Sequence, residues 1–191
     1  MKRLLLLTVA TFAVTVFAKA QVVAIKTNFL ENAALTPNLG LELGLGRKYT
    51  LDMRAGYSDV SFWQSVFPDK DKQLVNATGS AELRYWFCGK FNSHFLGVHA
   101  LYSRYDVKGL DIPLLFDRDH RFDGTAYGGG VSWGYHWMWS KRWGLEFNLG
   151  AGFAILNYDK YDCGTCDLVG RFQKTYFGPT RAGITLVLLL K

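Results

Sequence analysis

Beyond its first twenty residues the sequence has no apolar run long enough to form a membrane-crossing helix, because charges and glycines interrupt every candidate. If the chain enters a membrane, it must do so as a closed barrel, since only helices and closed barrels satisfy their backbone groups in lipid. Cysteine is scarce: Cys88, Cys163 and Cys166 are the three, and an odd number leaves one over. No Gly-rich phosphate loop, EF-hand calcium loop, low-complexity linker or internal repeat is present. The positive charge is also slight. Lys2, Arg3 and Lys19 are three of the 22 basic residues, and without them the excess over 16 acidic residues falls from +6 to +3. That balance gives no argument for nucleic acid as a partner.

What is present begins with a targeting pattern. Lys2 and Arg3 precede an apolar run from Leu4 to Phe17, and Ala18-Lys19-Ala20 supplies a small-residue cleavage site. The run is too short to span a bilayer. Residues 1–20 are read as a signal peptide and residues 21–191 as one outer-membrane barrel domain beginning at Gln21.

The mature sequence alternates with period two. Leu39, Leu41, Leu43 and Leu45 fall on one face, with Gly40, Glu42, Gly44 and Gly46 on the other. From Trp143 to Ile155 every odd residue is apolar, while the intervening positions hold glycine, Glu146, Asn148 and Ala154. Such alternation predicts half-buried strands. Eight are expected, over 22–29, 38–46, 48–58, 75–88, 94–107, 122–138, 143–157 and 172–190. Their connections alternate long and short, the short ones at Arg47, Gly89–Ser93 and Trp139–Arg142. Bacterial outer-membrane barrels have short periplasmic turns and longer outer loops. The expected fold is therefore all-β: an eight-stranded antiparallel up-and-down transmembrane β-barrel.

This register sets Val23, Ile25, Leu39, Leu41, Leu43, Leu51, Met53, Leu83, Tyr85, Phe87, Leu96, Val98, Tyr102, Val131, Trp133, Tyr135, Leu145, Phe147, Leu149, Ile184, Leu186 and Leu188 toward lipid. Trp63, Tyr85, Phe87, Trp137, Trp139, Trp143, Tyr158, Tyr161 and Tyr176 are placed in interfacial girdles. The opposite face carries Glu42, Asp52, Arg54, Glu82, Arg84, His99, His136, Glu146 and Arg181. An eight-stranded barrel is just wide enough for side chains to fill it. An interior network of Glu42, Arg54, Glu82, Arg84, Glu146 and Arg181 is expected to plug it, with Gly128, Gly130, Gly134, Gly150 and Gly152 leaving room. A proton or ion path is the alternative use of the same residues.

Several segments together resemble a known family. They are Lys26-Thr27-Asn28, Thr36-Pro37-Asn38-Leu39-Gly40-Leu41-Glu42, Arg84-Tyr85-Trp86-Phe87, Phe91-Asn92-Ser93-His94-Phe95, Ser140-Lys141-Arg142-Trp143, Tyr158-Asp159-Lys160-Tyr161 and Tyr176-Phe177-Gly178-Pro179-Thr180-Arg181. The chain is similar over its whole mature length to an uncharacterised outer-membrane barrel family of Bacteroides-type bacteria, a domain of unknown function numbered 3575. The resemblance implies an eight-stranded barrel in the outer membrane and a role at the cell surface near fimbrial components. It implies no activity and no catalytic residues.

Chemistry offers few footholds. Cys163 and Cys166 fit a disulfide across a loop tip in an oxidising compartment; redox chemistry and half a zinc site are the other readings. His136 and Ser132 share one strand face but stand ~13 Å apart, too far to pair directly. Ile112, Leu114, Leu115 and Phe116 form either a surface-binding loop or a cover folded over the barrel mouth. No cofactor, metal site or catalytic residue is assigned. The expected role is a non-enzymatic, monomeric outer-membrane barrel that contacts outer-membrane lipid and a surface or fimbrial protein. A lipid-modifying acyl hydrolase or transferase and a soluble periplasmic small-ligand barrel are the alternatives.

Overall fold

The computed structural model describes residues 22–59, 73–108, 120–162 and 168–190. The signal segment, Cys163 and Cys166, and the apolar run Ile112, Leu114, Leu115 and Phe116 lie outside the described residues, as does Trp63. Eight strands and one short helix follow in order: β1 (Val23–Asn28), α1 (Phe29–Ala33), β2 (Asn38–Gly44), β3 (Tyr49–Asp59), β4 (Gln73–Trp86), β5 (Ser93–Lys108), β6 (His120–Met138), β7 (Trp143–Asp162) and β8 (Leu168–Leu190). Each strand pairs antiparallel with the next, and β8 pairs with β1, so the sheet closes into an up-and-down barrel. The three short connections share one end, called here the floor. The long ones share the other, the mouth.

The alternation works as the pleat dictates. On β7 the outward residues Trp143, Leu145, Phe147, Leu149, Ala151, Phe153 and Ile155 alternate with inward Gly144, Glu146, Asn148, Gly150 and Gly152. Above Ile155 the outward residues turn polar, yet β7 and β8 run on to Asp162 and Leu168 because their ladder continues. Both strands therefore exceed the lengths expected from the apolar pattern alone.

The wall is lopsided. β1 and β2 are short, and the β1–β8 ladder ends at Asn28 opposite Thr185. A seam is left between β8 and β3, and α1 fills it. Asn28 makes this possible. Its extended backbone caps α1 while its Oδ1 accepts the Leu30 N–H at 3.1 Å. The same oxygen accepts the Ile184 N–H at 3.2 Å, and Nδ2 donates to Ala182 O at 3.1 Å. One side-chain amide thus prolongs the β8 ladder where backbone partners run out. Asn38 returns the favour across β1–β2: its Oδ1 accepts the Asn28 N–H at 2.8 Å and its Nδ2 donates to Asn28 O at 3.0 Å.

Asn28→Ala should lower unfolding free energy by about 2 kcal/mol, because several part-buried backbone groups lose their partners together. Urea unfolding of the folded protein measures it. A change within experimental error would mean the seam is held by other contacts.

Above that clasp, β8 from Leu168 to Arg181 pairs on its second side with no strand among the described residues. Pro179 sits there, beside a bulge opposite Gly150 and Ala151. Proline lacks an N–H, so it is accepted on such an edge or at a bulge and not in the middle of a sheet.

Candidate functional site

The interior is stacked in levels. At the floor, Trp86, Phe91 and Phe95 pack with Ala24 and Val187 into an apolar plug. Phe91 reaches it from the β4–β5 turn, where Phe91 and Ser93 adopt positive φ of 59° and 68° and aim the ring inward. His136 lies against Trp86 and Phe91, with ring centroids 6.0 and 6.5 Å away.

Directly above lies a charged layer. Alternation on β1 to β4, β7 and β8 turns Lys26, Glu42, Asp52, Glu82, Arg84, Glu146 and Arg181 inward, all of them buried. Arg84 is the hub. Its Nη1 donates to Glu42 at 3.0 Å and Glu146 at 2.9 Å, and its Nε donates to Glu82 at 2.6 Å. Its guanidinium lies 4.4 Å from the centre of the Phe95 ring, which ties the charged layer to the plug. Lys26 meets Glu146 at 2.5 Å, Glu42 by direct contact and Asp52 at 3.5 Å. Arg181 Nη2 donates to Asp52 at 2.8 Å. Hydroxyls complete the layer: Thr50 donates to Glu42, Ser132 to Glu82, and Trp86 Nε1 to Thr50 at 2.8 Å. Buried charges survive when paired and hydrogen-bonded in this manner.

Arg54 stands apart from the network expected of it. It lies one level higher and donates to Glu31 of α1 at 2.9 Å. Beside it His99 Nε2 meets Thr180 Oγ1 at 2.9 Å. These groups border a chamber of about 270 Å³, roofed in part by α1. Higher still, Tyr105, Val107, Phe122, Ala154 and Leu156 cluster under the long strands, joined by Tyr158 and Tyr176. Burial pushes the Tyr105 hydroxyl up to about 12. Tyr158 and Tyr176 correct an expectation, since they pack inward and do not stand in an outer girdle. Tyr158 stacks on Phe172 at 5.9 Å.

Glycines serve two purposes inside. A Cβ on Gly97 would lie 2.6 Å from Ser132 Oγ, and one on Gly150 would lie 3.1 Å from Arg181 Cβ, so these positions make space for polar side chains. A Cβ on Gly134 would meet the Phe95 ring. Gly128, Gly130 and Gly152 instead face the backbone of neighbouring strands, so their bareness permits close chain approach and does not house the large groups.

Residues 5–190 match the model of a family described as a protein of unknown function, DUF3575. The chain belongs to that family. No curated protein and no solved structure matches it.

The family's description assigns no chemistry, so the residues must speak for themselves. Ser132 is bound to Glu82 and to no imidazole, while the hydroxyl that meets His99 is the secondary alcohol of Thr180. Among the described residues no three His, Cys, Asp or Glu side chains converge as metal ligands. Cys88 is exposed and free near the floor. Sequence reasoning missed Lys26, Glu31, Asn28 and Asn38 as interior or seam residues. The alternation that turns Val23 and Ile25 outward turns Ala24, Lys26 and Asn28 inward, so the signal for Lys26 and Asn28 was present.

The outer surface is sorted as sharply as the interior. Outward positions read Tyr49, Leu51, Met53, Ala55 and Tyr57 on β3 and Leu96, Val98, Ala100 and Tyr102 on β5. On β6 they read Trp137, Tyr135, Trp133, Val131, Gly129 and Tyr127, and on β8 Leu188, Leu186, Ile184 and Ala182. No Asp, Glu, Lys or Arg falls among these outward positions. Charge returns in the floor turns, at Arg47, Lys48, Lys90, Lys141 and Arg142, and toward the mouth, at Arg104, Asp106, Asp123, Arg121, Asp159 and Arg171, where Arg121 pairs with Asp106 at 2.5 Å and Arg171 with Asp159 at 3.2 Å. Leu43 departs from its expected exposure: it is in register with Val23 and Leu51 on the outer face, yet it is 1% exposed.

Proposed function

We propose that the chain is a non-enzymatic outer-membrane β-barrel protein, anchored by its wall, plugged by its interior, and presenting its mouth connections at the cell surface. The observation that carries this reading is the charge-free apolar belt. A soluble barrel gains by keeping large apolar side chains off its surface. Here Leu149 is 61%, Val131 64% and Phe177 77% exposed, while Arg84, Glu82 and Glu146 are buried. Outside-apolar and inside-charged is the arrangement that hydrocarbon demands. On β7 the belt runs from Trp143 to Ile155, which at ~3.3 Å per residue and a tilt of ~40° gives a height on the order of 30 Å, close to a bilayer core. Tyr49, Trp137, Trp139 and Trp143 fringe it at the floor and Tyr57, Tyr102 and Tyr127 toward the mouth, the positions where amphipathic rings settle between lipid and water.

Closure of the seam supports the same reading. An open strand edge is not tolerated against lipid. Where the β1 ladder ends, the β8 edge at Ala182 and Ile184 is met by Asn28 at the start of α1, which leaves Phe29 and Leu30 exposed on the outside and draws Glu31 inward to Arg54. The filled floor argues against conduction, and the engagement of Ser132 by Glu82 in place of an imidazole argues against a Ser132 acyl-transfer nucleophile. What remains is a scaffold whose mouth connections meet envelope or surface partners, fimbrial components among them.

The test is fractionation followed by gel mobility of unboiled and boiled samples. The expected result is a heat-modifiable band in the outer-membrane fraction. A water-soluble chain recovered from the periplasm would overturn the reading and turn the belt into a surface for another protein or ligand.

A further inference from the structure

The chamber between the charged layer and α1 is lined unevenly. Arg54, Arg181 and His99 border it with the hydroxyls of Thr36, Ser103 and Thr180. Its acid is Glu31, already bonded by Arg54 Nη1 and Asn28 Nδ2. Donors nonetheless remain. Arg54 Nε and Nη2 and Arg181 Nε are buried and have no hydrogen-bond partner, and neither has the ring nitrogen His99 Nδ1. Arg54, Arg181 and His99 are each more than nine-tenths buried. Buried polar groups in folded proteins find partners, and side chains with unpartnered nitrogens bordering one cavity mark an acceptor that the chain itself does not supply.

We propose that this chamber binds a compact oxyanion, of acetate or phosphate size. The guanidinium fork of arginine matches the paired oxygens of such a group, and two arginines border the chamber with an imidazole beside them. The carboxylates below the chamber, Asp52 and Glu82, are paired with Arg84 and Arg181. A volume of about 270 Å³ holds an anion of this size with a few waters. The site depends on the interior alone and is independent of whether the wall faces lipid or water.

The full chain is folded in a phosphate-free non-ionic detergent, or in buffer if it proves soluble. Its melting midpoint is followed by tryptophan fluorescence while acetate or phosphate replaces chloride at constant ionic strength. The expected result is a saturable rise with either oxyanion and none with chloride. R54Q and H99Q, each checked for barrel structure by circular dichroism, should shift the half-saturating concentration by ~tenfold or more, as loss of a charged hydrogen bond implies. If R54Q does not fold, H99Q decides. No saturable rise in the native chain, an equal rise with chloride, or an unchanged half-saturating concentration in the folded variants would overturn the proposal.

Discussion

Replacing Arg84 with Met should lower the unfolding free energy by about 3–5 kcal/mol, the cost of breaking a buried ion pair by removing one partner. Arg84 bonds Glu42, Glu82 and Glu146 and approaches Asp52. Without it, Lys26 and Arg181 face four buried carboxylates in the same layer. Methionine fills much of the volume and keeps contact with Phe95, so the loss reports charge more than packing. Arg84→Lys should fall between the two, because an ammonium supplies a point charge and cannot reproduce the fork that serves three acids at once. Adding Glu42→Gln to the Arg84→Met chain should recover part of the loss, since one uncompensated charge is removed with it. Urea unfolding of all four chains gives these differences. A loss below 1 kcal/mol, or no recovery in the double variant, would mean that the layer is not organised around this guanidinium.

That layer is legible in the sequence to the extent that the pleat alone decides it. Once Leu41 and Leu43, Leu51 and Met53, and Leu83 and Tyr85 are taken as outward, Glu42, Asp52, Glu82 and Arg84 have only the interior left to them. Which cation meets which acid depends on ladder register and on the barrel's stagger, and no single strand encodes those. Lys26 and Glu146 show this, being 120 positions apart in sequence and 2.5 Å apart at their charged atoms. Arg54 shows the opposite case. Its face was clear, but its partner Glu31 sits on a five-residue helix too short to give a helical period. The mark of α1 is local chemistry: Asn28 followed three residues later by Glu31, a cap residue with an acid in the first turn. Phe91 was beyond pattern reading, because a turn with positive φ, and no alternation, swings it into the floor. Tyr158 and Tyr176 were misplaced for a related reason. Tyr158 follows the inward register of β7, and the bulge beside Pro179 resets the faces of β8 above it, so both rings turn toward the barrel axis.

The belt leads to the other large expected effect. Leu149→Arg should destabilise the barrel by ~2–4 kcal/mol when it is folded in lipid vesicles, the depth-dependent cost of arginine near the bilayer midplane. Leu149 points outward at mid-belt, opposite Trp133 and Ala182, and is well exposed. Asn157→Arg lies on the same strand and face, above the last apolar outward residue, and should cost no more than ~0–1 kcal/mol. The pair separates lipid from water with the same introduced side chain. If the wall faces water, Leu149 is exposed surface and Asn157 half-buried surface, where such changes stay within about 0.5 kcal/mol, and no large difference between them develops. Neither substitution touches the plug, the charged layer or the seam, so a depth-dependent gap cannot come from the interior. Equal small effects at Leu149 and Asn157 in vesicles would remove lipid from the account of this surface. The belt would then be a face that some other macromolecule covers, since a continuous ring of exposed leucine, valine and aromatic side chains is not left bare in water.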